Sequence, residues 1–271
     1  LAPAASPPPN PGRALIRRHN RSEYANAIRD LIAVDVDVTS LLPPDDAAFG
    51  FDNNSDLLGV SPALLERYVV AADRISALAV GAPVTAGSDT YRIRQDRSQD
   101  QHIEGLPLGT VGGLAVKRTF PVDGEYHFSL ELYRTNLEAI RGLEHPHQIE
   151  ITVDGARVFL GSVGGPQDAG GTGSVTDRMD AIDERLQVRV PVKAGPRLVG
   201  ATFIRKIGEG TQRLRPFLRS SAGTYDSTGR PHIETLTVAG PFNQTGPGDT
   251  PSRRQIFSCR PEPASAEGAW A

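Results

Sequence analysis

The stretch QIEITVDGARVFLGSV, residues 148–163, decides the fold of this chain. Two runs rich in β-branched and aromatic residues flank Asp154-Gly155. This dipeptide suits the left-handed backbone of a two-residue hairpin turn, and it is the strongest short-range hairpin signal a sequence can carry. The stretch therefore predicts two antiparallel strands joined by a tight turn.

Further runs with the same alternation lie on both sides of this hairpin. The eight strand candidates are TYRIR, GLAVKRTF, EYHFSLELY, QIEITV, RVFLGSV, RLQVRVPV, RLVGATFIRK and HIETLTVAG. Because no long helical pattern separates them, we expect an antiparallel β-sandwich over residues 86–240, of the jelly-roll type. Residues 164–184 are glycine-rich and then acidic, which predicts a long loop.

The sandwich is one part of a larger plan. We divide the chain into a Pro-rich linker (1–12), a helical domain (13–85), the sandwich (86–240) and a C-terminal linker (241–271) that leads to a missing downstream domain. The predicted fold class is therefore α+β, with the helices and the strands in separate domains.

Two helices are predicted in the N-terminal domain. Asn20 and Glu23 have the spacing of a capping box, and Ser61-Pro62 is a favourable helix start. Helical periodicity predicts the buried faces of the two helices. The residues on these faces are Tyr24, Ile28, Leu31 and Ile32 in the first helix, and Leu64, Leu65, Tyr68, Val69, Ala72, Ile75 and Leu78 in the second.

Composition excludes some classes of function. The 29 basic and 32 acidic residues give a net charge of −3, with no basic stripe. We therefore expect neither a nucleic-acid partner nor an anionic membrane surface. No apolar run approaches the ~20 residues that span a bilayer, so we expect no membrane span.

Two groups of side chains are candidate metal ligands. Asp177, Asp180, Asp183 and Glu184 could offer carboxylate oxygens to calcium, although a solvated turn or short helical face is the simpler interpretation. His145, His147 and Glu150 could hold a transition metal, because residues i and i+2 of a strand point the same way. Pro146 disfavours a central strand there, and two surface histidines are the simpler interpretation.

Sugar binding usually needs an aromatic platform or a polar rim. The only tryptophan, Trp270, lies in the tail. Tyr225, Asp226 and Arg230 could form a carbohydrate-binding rim in the segment before the last strand, where an ordinary inter-strand loop is the alternative. No nucleophile elbow, phosphate loop or dinucleotide fingerprint is present, and we assign no catalytic residue.

Several long stretches resemble a known family. NRSEYANAIRDL, LLPPDD and VSPALLERYVVAADRIS resemble the small helical domain of unknown function in planctomycete-type cytochrome c proteins. IEGLPLGTVGG, GRPHIETLTVAGPFN and TGPGDTPSRRQIFSCRP are similar to the regions that follow it there. The resemblance implies an exported, periplasmic or cell-surface multidomain protein whose sandwich has a carbohydrate-binding-module fold, of the kind that includes calcium-dependent xylan binders.

The resemblance also sets expectations for cofactors. It implies haem c in an upstream domain, and the absence of C-x-x-C-H means that this segment carries no covalent haem. No cofactor is expected in this segment, and calcium is the one candidate exception. Cys259, the single cysteine, could form a disulfide with the missing downstream region.

These observations lead to one hypothesis with two alternatives. The leading hypothesis is a non-catalytic fragment whose sandwich binds polysaccharide or acts as a structural spacer, with neighbouring domains of the same protein as partners. The first alternative is a metal-dependent enzyme that uses His145, His147 and Glu150. The second is an interdomain interaction module with an exposed apolar patch around Tyr24, Ile28, Leu65 or Tyr68.

Overall fold

A computed structural model describes residues 18–47, 50, 52–53, 58–170, 174–205 and 229–258. The chain divides into two compact units. The first comprises Leu1–Ala79 with Gln255–Ala271, and the second is Val80–Arg254. Within the described residues, the eight strands all lie in the second unit, and each of the eight strand candidates lies on one of them.

The strands form two four-stranded sheets in which every pairing is antiparallel. The first sheet has the order β1 (Gly87–Arg92), β8 (Ile233–Gly246), β3 (Asp123–Leu132) and β6 (Gln187–Val192). The second has the order β2 (Thr110–Phe120), β7 (Gly195–Ile204), β4 (His147–Val153) and β5 (Ala156–Val163). This is the jelly-roll arrangement, so the predicted fold class is confirmed.

One buried cluster fills the space between the sheets. Alternation along β3 turns Tyr126, Phe128 and Leu130 inward, and all three are almost fully buried. Ile149 and Ile151 face them from β4. The Tyr126 hydroxyl donates to the Val122 carbonyl at 2.9 Å, and burial raises its pKa to about 12. The core therefore follows directly from the two-residue period of the strands.

The connections between strands differ sharply at the two ends of the sandwich. Two residues join β2 to β3, β4 to β5 and β6 to β7. The other four connections are residues 93–109, 133–146, 164–186 and 205–232. Because successive strands run in opposite directions, the three short turns lie at one end and the four long connections lie at the other. We call the latter the loop-rich end.

The predicted loop over 164–184 is wrong in its secondary structure. It contains α3 (Pro166–Ala169) and α4 (Val175–Arg185). Ser174 caps α4 by accepting the backbone N–H of Asp177 at 3.1 Å. Met179 and Ile182, three positions apart, are buried and anchor α4 on the main core. A short apolar stripe among acidic residues was enough to make this segment helical.

The helical unit contains α1 (Arg21–Ile32), a 3-10 turn (Val38–Ser40) and α2 (Pro62–Val80). The predicted capping box is present: the Glu23 N–H donates to Asn20 Oδ1 at 2.8 Å, and the Asn20 N–H donates to Glu23 Oε2 at 3.0 Å. Within the motif LLPPDD, Asp45 accepts hydrogen bonds from Arg18 at 2.5 Å and from the backbone N–H of Arg21 at 2.6 Å. The motif therefore fixes the start of α1.

The predicted helix faces are partly wrong. The buried residues of α2 are Leu64, Ala71, Ile75 and Ala79, a single narrow stripe. Leu65, Val69 and Ala72 are exposed because they lie about 100° further round the helix, and Leu31 of α1 is also exposed. Tyr24, Ile28 and Tyr68, expected in the exposed patch of an interaction module, are instead partly buried against one another and against Ile75.

The β unit continues beyond the predicted boundary at residue 240. Strand β8 runs to Gly246, and α5 (Pro251–Ile256) follows. The downstream domain beyond residue 271 stays a prediction. Among the described residues, no helix is both long and apolar enough to cross a bilayer.

Candidate binding site at the loop-rich end

Tyr133 joins three of the four long connections. It is the first residue after β3, and its backbone N–H donates to the carbonyl of His232 at 2.8 Å, in the β7–β8 connection. Its hydroxyl donates to the carbonyl of Ile93, in the β1–β2 connection. The β3–β4 connection is therefore held by hydrogen bonds to both neighbours, which limits its freedom before any ligand arrives.

The fourth connection joins through α4. The Arg134 guanidinium donates from Nη2 to Asp180 Oδ1 at 2.6 Å and to Asp183 Oδ2 at 2.8 Å. The other Asp183 oxygen accepts the backbone N–H of Leu132 at 3.2 Å. Burial, the largest effect on Asp183, raises the pKa of that carboxyl, and the Arg134 bond only partly offsets it. Arg134 thus ties α4 to the end of β3.

A small cleft opens between these connections. Its enclosed volume is about 10 Å³, room for about one water molecule, and it opens to solvent. Its lining is rich in hydrogen-bonding side chains: Tyr133, Arg134, Thr135, Arg141 and His232. Arg141 and His232 are buried, whereas the Arg134 side chain is 23% exposed. A polar cleft with fixed walls can orient hydroxyl or carboxylate groups of a ligand.

The predicted calcium ligands do not converge on one point. Asp177, Asp180, Asp183 and Glu184 lie along α4 rather than around a loop, and two of them already bind Arg134. A guanidinium in the middle of the group does not fit a calcium site, which needs ~6–8 oxygen ligands. In the described part of the chain, no three histidine, cysteine or acidic side chains are grouped to hold a metal.

The alternative metal set is dispersed as well. His145 is exposed and precedes β4, whereas His147 is buried beside Phe203, with Nε2 at 3.0 Å from the Gly142 carbonyl. Glu150 points to the opposite face of the strand and accepts from Arg157 at 2.5 Å. The i and i+2 argument fails because the strand begins only at His147.

The predicted sugar-binding rim is described only in part. Tyr225 and Asp226 lie outside the described residues, as do Cys259 and Trp270. Arg230 is half-buried and comes three residues before β8, so it belongs to the loop-rich end. Tyr126 and Tyr133 are buried, and neither can serve as a sugar platform.

The cleft itself was not predicted from the sequence. Arg134 and Arg141 belong to no motif, and the aspartates that bind Arg134 lie 46 and 49 residues away along the chain. One signal was available: the strand candidates alternate between short and long spacing, which predicts one loop-rich end.

Comparison with known proteins gives one family match. Residues 17–81 match the model of a family described as a protein of unknown function (DUF1587), PSD3. The match confirms that the helical block is a domain of unknown function. It covers less than half of the chain, and the planctomycete type and the association with cytochrome c stay predictions. No curated protein sequence matches the chain.

Solved structures show only distant likeness. The sugar-binding C-terminal domain of EclA is 11% identical, with a TM-score of 0.25, and the match covers 72% of this chain and 99% of that one. CBM35 from Paenibacillus barcinonensis is 14% identical, with a TM-score of 0.26, over 58% of this chain and 99% of that one. A cycloisomaltooligosaccharide glucanotransferase from Paenibacillus sp., solved with cycloisomaltoheptaose, is 12% identical, with a TM-score of 0.28. The match covers 66% of this chain and 23% of that one. Similarity at this level carries no argument about function.

Proposed function

We propose that the β unit is a non-catalytic recognition module whose loop-rich end binds polysaccharide. The observation that carries this proposal is the asymmetry of the sandwich: the four long connections leave and rejoin the strands at one end, and a polar cleft opens between their described residues. Long connections on a rigid sheet scaffold are the usual place for ligand contacts. In this proposal the chain is part of an exported, cytochrome c-associated protein.

The hydrogen bonds between the connections support a preformed site. Tyr133 and Arg134 hold the β3–β4 connection to all three others. Binding to a preformed site does not need to order the loops, so more of the contact energy remains as affinity. The mixed lining of hydroxyl, guanidinium and imidazole groups suits the hydroxyls and carboxylates of polysaccharides better than an apolar ligand.

A glycan array tests the proposal directly. The chain is applied in the presence of calcium and again with a chelator. Binding that survives chelation is expected, because the acidic group of α4 is occupied by Arg134. Binding lost on chelation would place a calcium ion in the site after all, and silence in both conditions would leave only the role of a structural spacer.

A second candidate function concerns the helical unit. Leu65 and Val69 lie one turn apart on α2 and are 55% and 70% exposed. Such a pair suits docking of a neighbouring domain of the same protein. Hydroxyl-radical footprinting of this chain and of the full-length protein tests the idea. Oxidation of Leu65 and Val69 should fall in the longer protein, and equal oxidation in both would exclude docking on this face.

A further inference from the structure

Helix α2 carries a second stripe of apolar and small residues, which we call the outer stripe. It consists of Leu65, Val69, Ala72 and Ser76, and all four are exposed. At 100° per residue these positions lie within about 60° of one another around the helix. Their spacing of four, three and four residues is the spacing that keeps side chains against a single partner helix. The Ser76 hydroxyl donates to the Asp73 carbonyl at 2.9 Å, so it does not make the stripe more polar.

The outer stripe adjoins the face of α2 that is already covered. Side chains of α1 pack against the cluster that holds Ala71 and Ile75. Ala72, the nearest member of the outer stripe, lies only about 60° round the helix from Ile75. A helix with one packing partner normally has polar residues beside its covered face. The wider apolar arc of α2 therefore indicates a second partner.

The far edge of the outer stripe is acidic. Glu66 and Asp73 lie about 20° apart around the helix, and both are within about 60° of Val69. Residues three and four positions from either carboxylate could pair with it on the helix surface, but none of them is a lysine or an arginine. Among the described residues, no ion pair engages Glu66 or Asp73. Arg67 and Arg74 lie about 100° further round, on the side away from the stripe.

This acidic edge discriminates between possible occupants of the stripe. A membrane surface attracts helices whose polar face is rich in lysine and arginine, so an anionic surface would repel this edge. A second copy of the chain, paired antiparallel through its own outer stripe, would bring each acidic edge against its own counterpart, which is also repulsive. A helix with a basic edge gains attraction at the same two positions.

We propose that the outer stripe receives an amphipathic helix from a neighbouring domain of the same protein, with lysine or arginine residues against Glu66 and Asp73. The stripe is about 17 Å long at 1.5 Å per residue, so the incoming helix needs about three turns. Because Ala72 and Ser76 are small, this helix should offer larger side chains to that half of the stripe. The inference rests on the docking function proposed for the helical unit and adds the chemistry of the partner.

Two synthetic helical peptides test the inference with the complete chain. They share one leucine seam and differ only in the edge beside it, which is lysine in one peptide and glutamate in the other. In fluorescence anisotropy the lysine peptide should bind about 10-fold more tightly, and the double variant Glu66→Lys, Asp73→Lys should reverse the preference. The double variant Arg67→Glu, Arg74→Glu is the matched control, and it should leave the preference unchanged because those charges lie away from the stripe.

A pair of adjacent valines tests the apolar contact. Val69→Ser, within the stripe, should weaken binding of the lysine peptide about 10-fold. Val70→Ser is the matched control, because Val70 is also exposed on α2 but lies outside the stripe. Both residues are exposed, so the two variants should keep the unfolding temperature of the wild type.

The outcomes separate the chemistry of the partner from docking itself. Equal binding of both peptides, weakened by Val69→Ser, would overturn the basic edge while docking on the stripe stands. Binding of neither peptide, or binding that Val69→Ser leaves unchanged, would overturn the helical partner. Light scattering that shows a dimer in the wild type and none in Val69→Ser would identify a second copy as the occupant and overturn the proposal. Equal oxidation of Leu65 and Val69 in this chain and in the full-length protein would overturn docking itself.

Discussion

Gln99 lies in the β1–β2 connection, and its side chain makes hydrogen bonds to the backbone that a neighbouring strand would otherwise make. Replacing it therefore tests the fold directly. Its side-chain amide is buried and donates from Nε2 to the Ile233 carbonyl at 2.7 Å. Its Oε1 accepts the Ile233 N–H at 3.0 Å and the Gly113 N–H at 3.3 Å. One side chain therefore satisfies three backbone groups, two at the start of β8 and one at Gly113 of β2, where the register with β7 shifts between Val111 and Leu114.

Gln99→Met keeps the shape of the side chain and removes all three bonds. Each buried backbone group left without a partner costs about 1–3 kcal/mol. Allowing for relaxation, we expect the free energy of unfolding to fall by roughly 3–6 kcal/mol, a large part of the 5–15 kcal/mol typical of a domain. Urea titration followed by far-UV circular dichroism of the β unit measures the change. Gln148→Met, on an exposed glutamine of β4, is the control and should stay within ~0.5 kcal/mol of the wild type.

Gln99→Glu tests the same hydrogen bonds through the pH dependence of stability. The carboxylate keeps both acceptor bonds but cannot donate to the Ile233 carbonyl, whereas the protonated acid can. Its folded pKa should therefore lie above the ordinary value of about 4.3, so its stabilising contribution is complete below that pH and is lost as the pH rises. The deficit relative to the wild type should shrink on acidification. A Met variant within 1 kcal/mol of the wild type, or a Glu variant with an unchanging deficit, would refute the role assigned to Gln99.

Three further predictions concern other parts of the molecule. Asp45→Ala should lower the free energy of unfolding of the helical unit by about 2–4 kcal/mol in urea titration, because the carboxylate binds a guanidinium and a backbone N–H of α1. Asp46→Ala, on the exposed neighbouring residue, is the control and should change it little. Gly113→Ala should prevent folding or lower the free energy of unfolding by more than ~4 kcal/mol, because its new Cβ would clash with a β7 carbonyl oxygen. Gly155→Ala is the control, because Gly155 also has a positive φ but lies in open space. It should lower the free energy of unfolding by only about 1 kcal/mol, measured by thermal unfolding. At Asp123, burial acts to raise the pKa, but bonds from a lysine and a backbone N–H outweigh it and hold the pKa below its usual value. The stabilisation by the Asp123 carboxylate is therefore present above pH ~4 and is lost as the pH falls through the folded pKa. The loss of unfolding free energy in Asp123→Asn, relative to the wild type, should be constant above pH ~5 and shrink below pH ~4. A loss that grows on acidification would contradict the lowered pKa.

The strands could be predicted from the sequence because their signal is local. Alternation of apolar and polar residues fixes which side chains share a face, and Asp154-Gly155 fixes the turn between two of them. The capping box at Asn20 is local in the same sense, since both partners lie within one helical turn. Each of these features depends on residues that are close along the chain.

The helix faces could not be predicted with the same accuracy. The predicted apolar face of α2 was wide enough to include both Leu64 and Leu65, and both Tyr68 and Val69, although the side chains of each pair lie about 100° apart. Which of each pair becomes buried depends on where the packing partners lie, and side chains of α1 pack against the cluster that holds Ala71 and Ile75. Helix α4 was missed for a related reason: only its contacts with the sandwich core show that Met179 and Ile182 are anchors.

The sequence by itself determined the number of strands, their alternation, the tight turns and the capped helix starts, because backbone conformation and side-chain direction respond to neighbours a few residues away. Only the tertiary structure decided that Ile93, Met179 and His232 meet the β3–β4 connection at the loop-rich end. Those residues come from connections that are far apart in the chain, and they come together because eight strands of alternating direction return every second connection to the same end.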